Sequence, residues 1–179
     1  AFKRAVCLVS HGQCSQCLIQ HSCPYPYVFE TPKPPEAVLM TRYETVPHPF
    51  IISPLPIQET VKSGDSLRFY LTLFGQAISL LPFFILAFEH LGKRGLGKDH
   101  IPFSLVELKT VFPLPVPHQT IYRGQGVLER SVQSISFQEI LPDSIPDTSL
   151  KLHFHTPIRL KTEGKAVHKV LPFDRLVSS

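Results

Sequence analysis

The chain has no tryptophan, one methionine and nine glycines in 179 residues, against eighteen prolines. Scarce glycine and abundant proline mean rigid, extended connections, and the core has to be built from leucine, isoleucine, valine and phenylalanine. Charge is sparse as well. Asp, Glu, Lys and Arg make up 18% of the chain and the formal net charge is +4 with histidine neutral. That mild excess favours an anionic partner but falls far short of a histone-like or arm-like nucleic-acid binder. A hydrophobic content of 43% excludes global disorder. The length suits one large domain, or a small domain with part of another.

A long charged stretch is missing too, and the run from Phe69 to Phe88 carries no charge at all. As one helix it would be long enough to cross a bilayer. The periodicity argues otherwise. Leu67, Phe69, Leu71 and Leu73 alternate with Arg68, Tyr70, Thr72 and Phe74, the period-two pattern of a strand with one face in a core. After Gly75 and Gln76 the period changes, and Ile78, Leu81, Ile85 and Phe88 form the stripe of a helix that Pro82 starts or interrupts. The spacing predicts a helix ending at Gly92, and Ile101, Phe103, Leu105 and Leu108 predict a further strand. No membrane partner is expected, and Ala1-Phe2-Lys3-Arg4 does not read as a signal peptide.

Between helix and strand lies Gly92-Lys93-Arg94-Gly95-Leu96-Gly97-Lys98. Two readings stand. Glycines let a backbone approach a phosphodiester closely, while Lys93, Arg94 and Lys98 supply the charge that dominates nucleic-acid affinity. Alternatively, Gly92 takes the left-handed conformation of a helix C-cap and the cations answer the negative end of the helix dipole. The segment matches neither a nucleotide-triphosphate loop nor the dinucleotide fingerprint.

All four cysteines fall between Cys7 and Cys23, as Cys7, Cys14, Cys17 and Cys23. Thiolates are soft ligands, and Cys14-x-x-Cys17 brings two sulfurs to one ion through a tight turn. A structural zinc, an iron–sulfur cluster, reduced core cysteines and two disulfides all remain open, and His11 and His21 are placed to replace a sulfur. The proline-rich run from Pro24 to Pro35 reads as extended. Tyr25 and Tyr27 are candidates for stacking on bases or for the core. Pro47-His48-Pro49-Phe50 leads a short edge strand, and His48, held between prolines, faces either RNA or plain solvent. His90 sits near a helix C-terminus, where a cation is favoured in any case. A hairpin is expected around Gly124-Gln125-Gly126, and a boundary at Pro142 to Asp147. Ala1 to Cys7 reads as the end of a helix, and the segments from Leu150 to His155 and from Ile158 to Lys161 alternate like paired strands, so the sequence reads as a piece of a longer protein.

Taken in order, several blocks resemble one family. They are Cys23-Pro24-Tyr25 with Phe29-Glu30, Pro47 to Phe50, Gly64-Asp65 with Leu67 to Leu73, Phe74 to Ile78, Leu91 to Gly97, and Phe154 to Lys161. Together they resemble the CRISPR-associated precursor-crRNA processing endoribonucleases of the RAMP superfamily, in the subgroup with a cysteine-rich insertion. The resemblance implies an α+β chain with ferredoxin-like domains, each a four-stranded antiparallel sheet carrying two helices. The first would span residues 1–141 with the cysteine-rich insertion at 7–30, its first strand preceding Ala1. Residues 148–179 would begin the second.

The chemistry so implied is metal-independent cleavage of CRISPR repeat RNA in the cytoplasm, with no catalytic cofactor. A base takes the ribose 2′-hydroxyl proton, the oxygen attacks phosphorus, an acid protonates the leaving 5′-oxygen, and a 2′,3′-cyclic phosphate results. His48 is the candidate catalytic histidine within this chain, although the family's histidine often lies near the first helix. Lys93, Arg94, Lys98, Gly95, Gly97, Arg159 and Lys161 are the candidate RNA-binding residues, and Cys7, Cys14, Cys17 and Cys23 the candidate metal ligands. Other CRISPR-associated effector subunits are further expected partners. Two alternatives stay open: a noncatalytic RAMP subunit that holds crRNA, and a metal-stabilised interaction module.

Overall fold

The computed structural model describes residues 1–7, 9, 13–34, 44–55, 60–112, 117–124, 132–141, 153, 161–162 and 165–166. The chain divides into two compact units, Ala1–Ile140 and Leu141–Ser179. Its architecture is α+β with antiparallel strand pairs.

In the first unit, α1 (Phe2–Val6) is short and gives way at Cys7 to extended backbone. Two single 3-10 turns follow at Cys14–Gln16 and Gln20–Ser22, and a π-helix at Pro26–Glu30. The extended path expected for Pro24 to Pro35 is therefore corrected. Pro26 stands at the start of the π-helix, where its missing N–H costs nothing, and Val28 is fully buried. Extended pairing begins only at Pro32, which bridges to Thr45.

Strands β1 (Phe50–Pro54) and β2 (Phe69–Leu73) pair antiparallel, with Phe50 opposite Leu73 and Ile52 opposite Leu71. Leu71 and Leu73 are half-buried while Tyr70 and Thr72 are exposed, as the alternation predicts, but Leu67 and Phe69 on the same expected face are exposed as well. A 3-10 turn at Gly75–Ile78 takes up the residues after β2, so Ile78 lies outside the helix that its spacing suggested. Helix α2 (Leu81–Arg94) starts with Pro82 in its first turn. It buries Leu81, Phe84, Ile85, Ala87 and Gly92. Phe84 and Ala87 join Phe2 and Val28 in one core, against Phe50, Leu71 and Leu73. Leu81 and Ile85 join Ile121 and Tyr122 in another, against Leu105 and Leu108. A helix buried on two sides reads as a broad apolar band, hence its uncharged sequence. Among the described residues, no helix is long and apolar enough to cross a membrane.

The helix runs past Gly92 and ends at Gly95, whose φ is 85°. Gly92 is a packing glycine. A Cβ there would stand 2.3 Å from the carbonyl oxygen of Phe103, and the Phe103 N–H donates to the Gly92 carbonyl at 3.1 Å. The long strand expected from Ile101 also contracts. Ile101 forms only an isolated bridge with Leu96, and β3 covers Glu107–Lys109. Pro102 has no N–H to offer a ladder, which fits the break there. Strand β3 pairs antiparallel with β4 (Thr120–Arg123), a partner the sequence did not announce, and Gly124 follows directly. The described strands of this unit thus form two two-stranded sheets, where its strands were expected to share one sheet with a first strand preceding Ala1. Helix α3 is the short Phe137–Ile140.

In the second unit, β5 (Lys161–Thr162) pairs antiparallel with β6 (Lys165–Ala166). The strands expected before Lys161 lie outside the described residues apart from His153, which is exposed.

Candidate nucleic-acid interface

The last turns of α2 carry His90, Lys93 and Arg94, spaced three and four residues apart and so on one side of the helix. Helix α1 packs against α2, with the rings of Phe2 and Phe84 meeting edge to face at 4.9 Å. Phe84 belongs to the first turn of α2, and towards the other end of that helix Ala1 and Arg4 come beside its last turns. Arg4 from α1, with His90, Lys93 and Arg94 from α2, lines an open recess of about 380 Å³ beside Ala1.

All four basic side chains are exposed, and none joins an ion pair among the described residues. The carboxylate of α2, Glu89, accepts a hydrogen bond from the Tyr122 hydroxyl of β4 and does not line the recess. The C-terminal end of a helix amounts to roughly half a negative charge. Three permanent cations and a histidine exceed what that dipole balances. Arg4, arriving from another element, belongs to no helix C-cap. The recess therefore carries more positive charge than capping of α2 requires.

The other residues singled out in the glycine-rich segment stand apart from it. Leu96 and Ile101 exchange backbone hydrogen bonds of 2.8 and 3.0 Å and close a small loop, with exposed Lys98 at its tip. Gly95 is buried, and a Cβ there would stand 2.1 Å from the His100 carbonyl oxygen. Its positive φ and bare α-carbon serve the loop's closure and leave no approach for a phosphate on that side. Gly97, at φ 70°, has open space where a Cβ would point. Lys98, Gly95 and Gly97 do not line the recess. Arg159 lies outside the described residues, and Lys161 belongs to β5 in the second unit.

His48 is exposed and stacks on Phe50, with ring centroids 5.8 Å apart. It also lies off the recess lining. Tyr25 and Tyr27 pack on the Phe2 core, and the Lys3 ammonium sits 5.1 Å over the Tyr25 ring. Both tyrosines are half-buried, so core packing claims most of each ring.

The cysteines are free thiols, Cys23 buried and the others half-buried. Cys7 Sγ donates to the Val9 carbonyl at 2.9 Å. Burial pushes the Cys14 thiol above the ordinary thiol range, Glu30 adds to this through a hydrogen bond and its charge, and Lys3 opposes both. The donor chemistry of four clustered sulfurs suits zinc. Among the described residues, however, no three His, Cys, Asp or Glu side chains gather closely enough to hold one ion. His11 lies outside the described residues and His21 is exposed.

Arg4 and His90 line the recess although neither stood among the candidate site residues of the sequence. His90 was readable, because its spacing to Lys93 and Arg94 puts it on their side of the helix. Arg4 was not, since nothing local announces that α1 packs on α2.

The described residues thus place a basic recess on an α+β scaffold. Residues 1–134 match the AF_1859_N family of N-terminal domains, and the chain belongs to that family. An uncharacterized protein of Archaeoglobus fulgidus is 23% identical over 159 residues, which cover 89% of this chain and 51% of that protein. The chain thus spans about half the length of the curated relative it matches. No solved structure matches it.

Proposed function

We propose that this chain is the RNA-holding N-terminal part of a CRISPR-associated endoribonuclease that processes precursor crRNA within its repeats. The observation that carries the reading is the recess of Arg4, His90, Lys93 and Arg94, basic groups with no ion-pair partner among the described residues. An RNA phosphate is the ligand that such groups suit, since phosphate contacts dominate nucleic-acid affinity. The order β1, β2, α2, β3 agrees with the later half of a ferredoxin-like domain.

Within that reading Arg4, Lys93 and Arg94 neutralise a phosphodiester and the further charge that grows on it as the 2′-oxygen attacks phosphorus. His90 is the histidine placed to move a proton there, ahead of His48. The bond to the 5′-oxygen breaks as that oxygen is protonated, leaving a 2′,3′-cyclic phosphate. The test is a labelled repeat RNA incubated with the full-length protein in EDTA and resolved on a denaturing gel. A discrete product with a cyclic phosphate end supports the nuclease, and intact RNA refutes it.

One observation favours a second reading, a noncatalytic RAMP subunit that only binds crRNA. Cleavage needs a base and an acid, and among the described residues His90 is the single histidine that lines the recess. In that case the same gel shows intact RNA while binding persists.

A further inference from the structure

We propose that Cys14 and Cys17 form a thiol–disulfide exchange site, a dithiol that a small disulfide of the glutathione class oxidises and a small thiol restores. The site stands apart from the recess and from the RNA reading.

A single helical turn sets the pair. Cys14 opens the 3-10 turn Cys14–Gln16, and the Cys17 N–H donates to the Cys14 carbonyl at 3.0 Å as the turn closes. Residues joined by such a bond stand within about 7 Å at their α-carbons, and a disulfide spans roughly 4.4–6.8 Å. Rotation of the two side chains then brings sulfur to sulfur. Both thiols are half-buried and so within reach of a reagent. The other two are worse placed. Cys23 is buried, and Cys7, at the end of α1, donates its thiol hydrogen to the Val9 carbonyl at 2.9 Å.

The surroundings divide the roles. Cys14 Sγ donates a hydrogen bond to Glu30 and accepts one from the Lys3 ammonium. Those bonds tie up the Cys14 thiol, so Cys17 attacks first. Its thiolate bonds to one sulfur of the small disulfide and displaces a thiolate. Cys14 then attacks the Cys17 sulfur of the mixed disulfide and displaces the second. One S–S bond forms and one breaks, the electron pair of the dithiol passes to the small disulfide, and both thiol protons end on the two thiols released. Bridging forfeits the Cys14 bond to Glu30, and so short a loop removes little chain entropy. Both effects favour the dithiol, which makes the bond labile and regulatory in kind and no structural staple.

The experiment incubates the full-length protein with excess oxidised glutathione at mildly alkaline pH, quenches it in acid, blocks free thiols with N-ethylmaleimide and maps the peptides by mass. We expect a Cys14–Cys17 bond that dithiothreitol reverses, and in Cys14→Ser a glutathione adduct held on Cys17. In Glu30→Ala, where circular dichroism confirms the fold, the equilibrium constant for oxidation is expected to rise about fivefold, because the dithiol has lost a hydrogen bond. A wild-type map without the Cys14–Cys17 bond overturns the proposal, whether the thiols carry glutathione singly, pair otherwise, stay free, or resist every reagent until a chelator strips a bound metal ion. Because the wild-type map decides the matter alone, a variant that misfolds does not blunt the test.

Discussion

The Tyr122 hydroxyl donates a hydrogen bond of 2.5 Å to Glu89, tying β4 to α2. Tyr122 is 1% exposed, so the bond forms at the edge of the core that Leu81, Ile85 and Ile121 share with it. It also keeps the carboxylate of α2 occupied outside the recess that His90, Lys93 and Arg94 line. Tyr122→Phe removes the donor and leaves a half-buried carboxylate short of a partner. We expect a loss of about 1.5–3 kcal/mol, the range for a hydrogen bond to a charged group, read as a lower urea midpoint. An unchanged midpoint would mean that Glu89 finds an equal partner elsewhere.

Gly92→Ala tests the packing role of that glycine. In an open helix the change gains up to ~1 kcal/mol of propensity. Here the new methyl would meet a backbone carbonyl at 2.3 Å, which cannot swing aside as a side-chain end can. The clash outweighs the propensity. A net loss of about 1–3 kcal/mol and a fall in Tm are expected, and a rise in Tm would show that Phe103 moves freely.

Much of the first unit was legible because it is local. The alternation around Leu71 and Leu73 gave β2, and Pro82 marked the start of α2. Gly92 misled because a helix-ending glycine and a close-packed one look alike until the neighbour is known, and Phe103 lies beyond the turn. The strand from Ile101 failed for a related reason. An alternating apolar pattern reports which faces are buried and not whether a partner edge exists, and only Glu107–Lys109 met one. Half of the recess was visible in Lys93 and Arg94. Arg4 needed the packing of α1 on α2, which joins residues distant in sequence.

The Cys14 thiol should resist alkylation at neutral pH. Burial is the largest cause of its raised pKa, with Glu30 second, so the folded state holds the thiol proton more tightly than the unfolded one. A raised folded value gives stability that is present below the unfolded thiol pKa and lost as pH rises through the folded one. Mass-resolved iodoacetamide labelling is expected to reach Cys14 slowly at neutral pH and to speed up only as the pH rises above the ordinary thiol range. Rapid modification at pH 7 would contradict the placement beside Glu30.

Acid should loosen the β3–β4 pair. Lys109, through its hydrogen bond, is the largest cause holding the Glu107 carboxyl below the usual carboxylate range, with Thr120 and Arg123 contributing. The Lys109 contact is 2.9 Å and that of Arg123 3.7 Å. A depressed folded pKa gives stability that is present above the unfolded value and lost as pH falls through the folded one. Glu107→Gln should therefore flatten the acid limb of the stability profile. The effect will be small because the groups are solvated, and a steeper limb would reverse the argument.

The central claim is that Arg4, Lys93 and Arg94 form one phosphate-binding recess, and its most direct measurement is the salt dependence of RNA affinity. Single-stranded RNA bound by three such cations should give a slope of log Kobs against log salt of about −2, and Arg94→Gln should make it shallower by about 0.7. A wild-type slope near zero, or an Arg94→Gln slope equal to that of the wild type, would contradict the account.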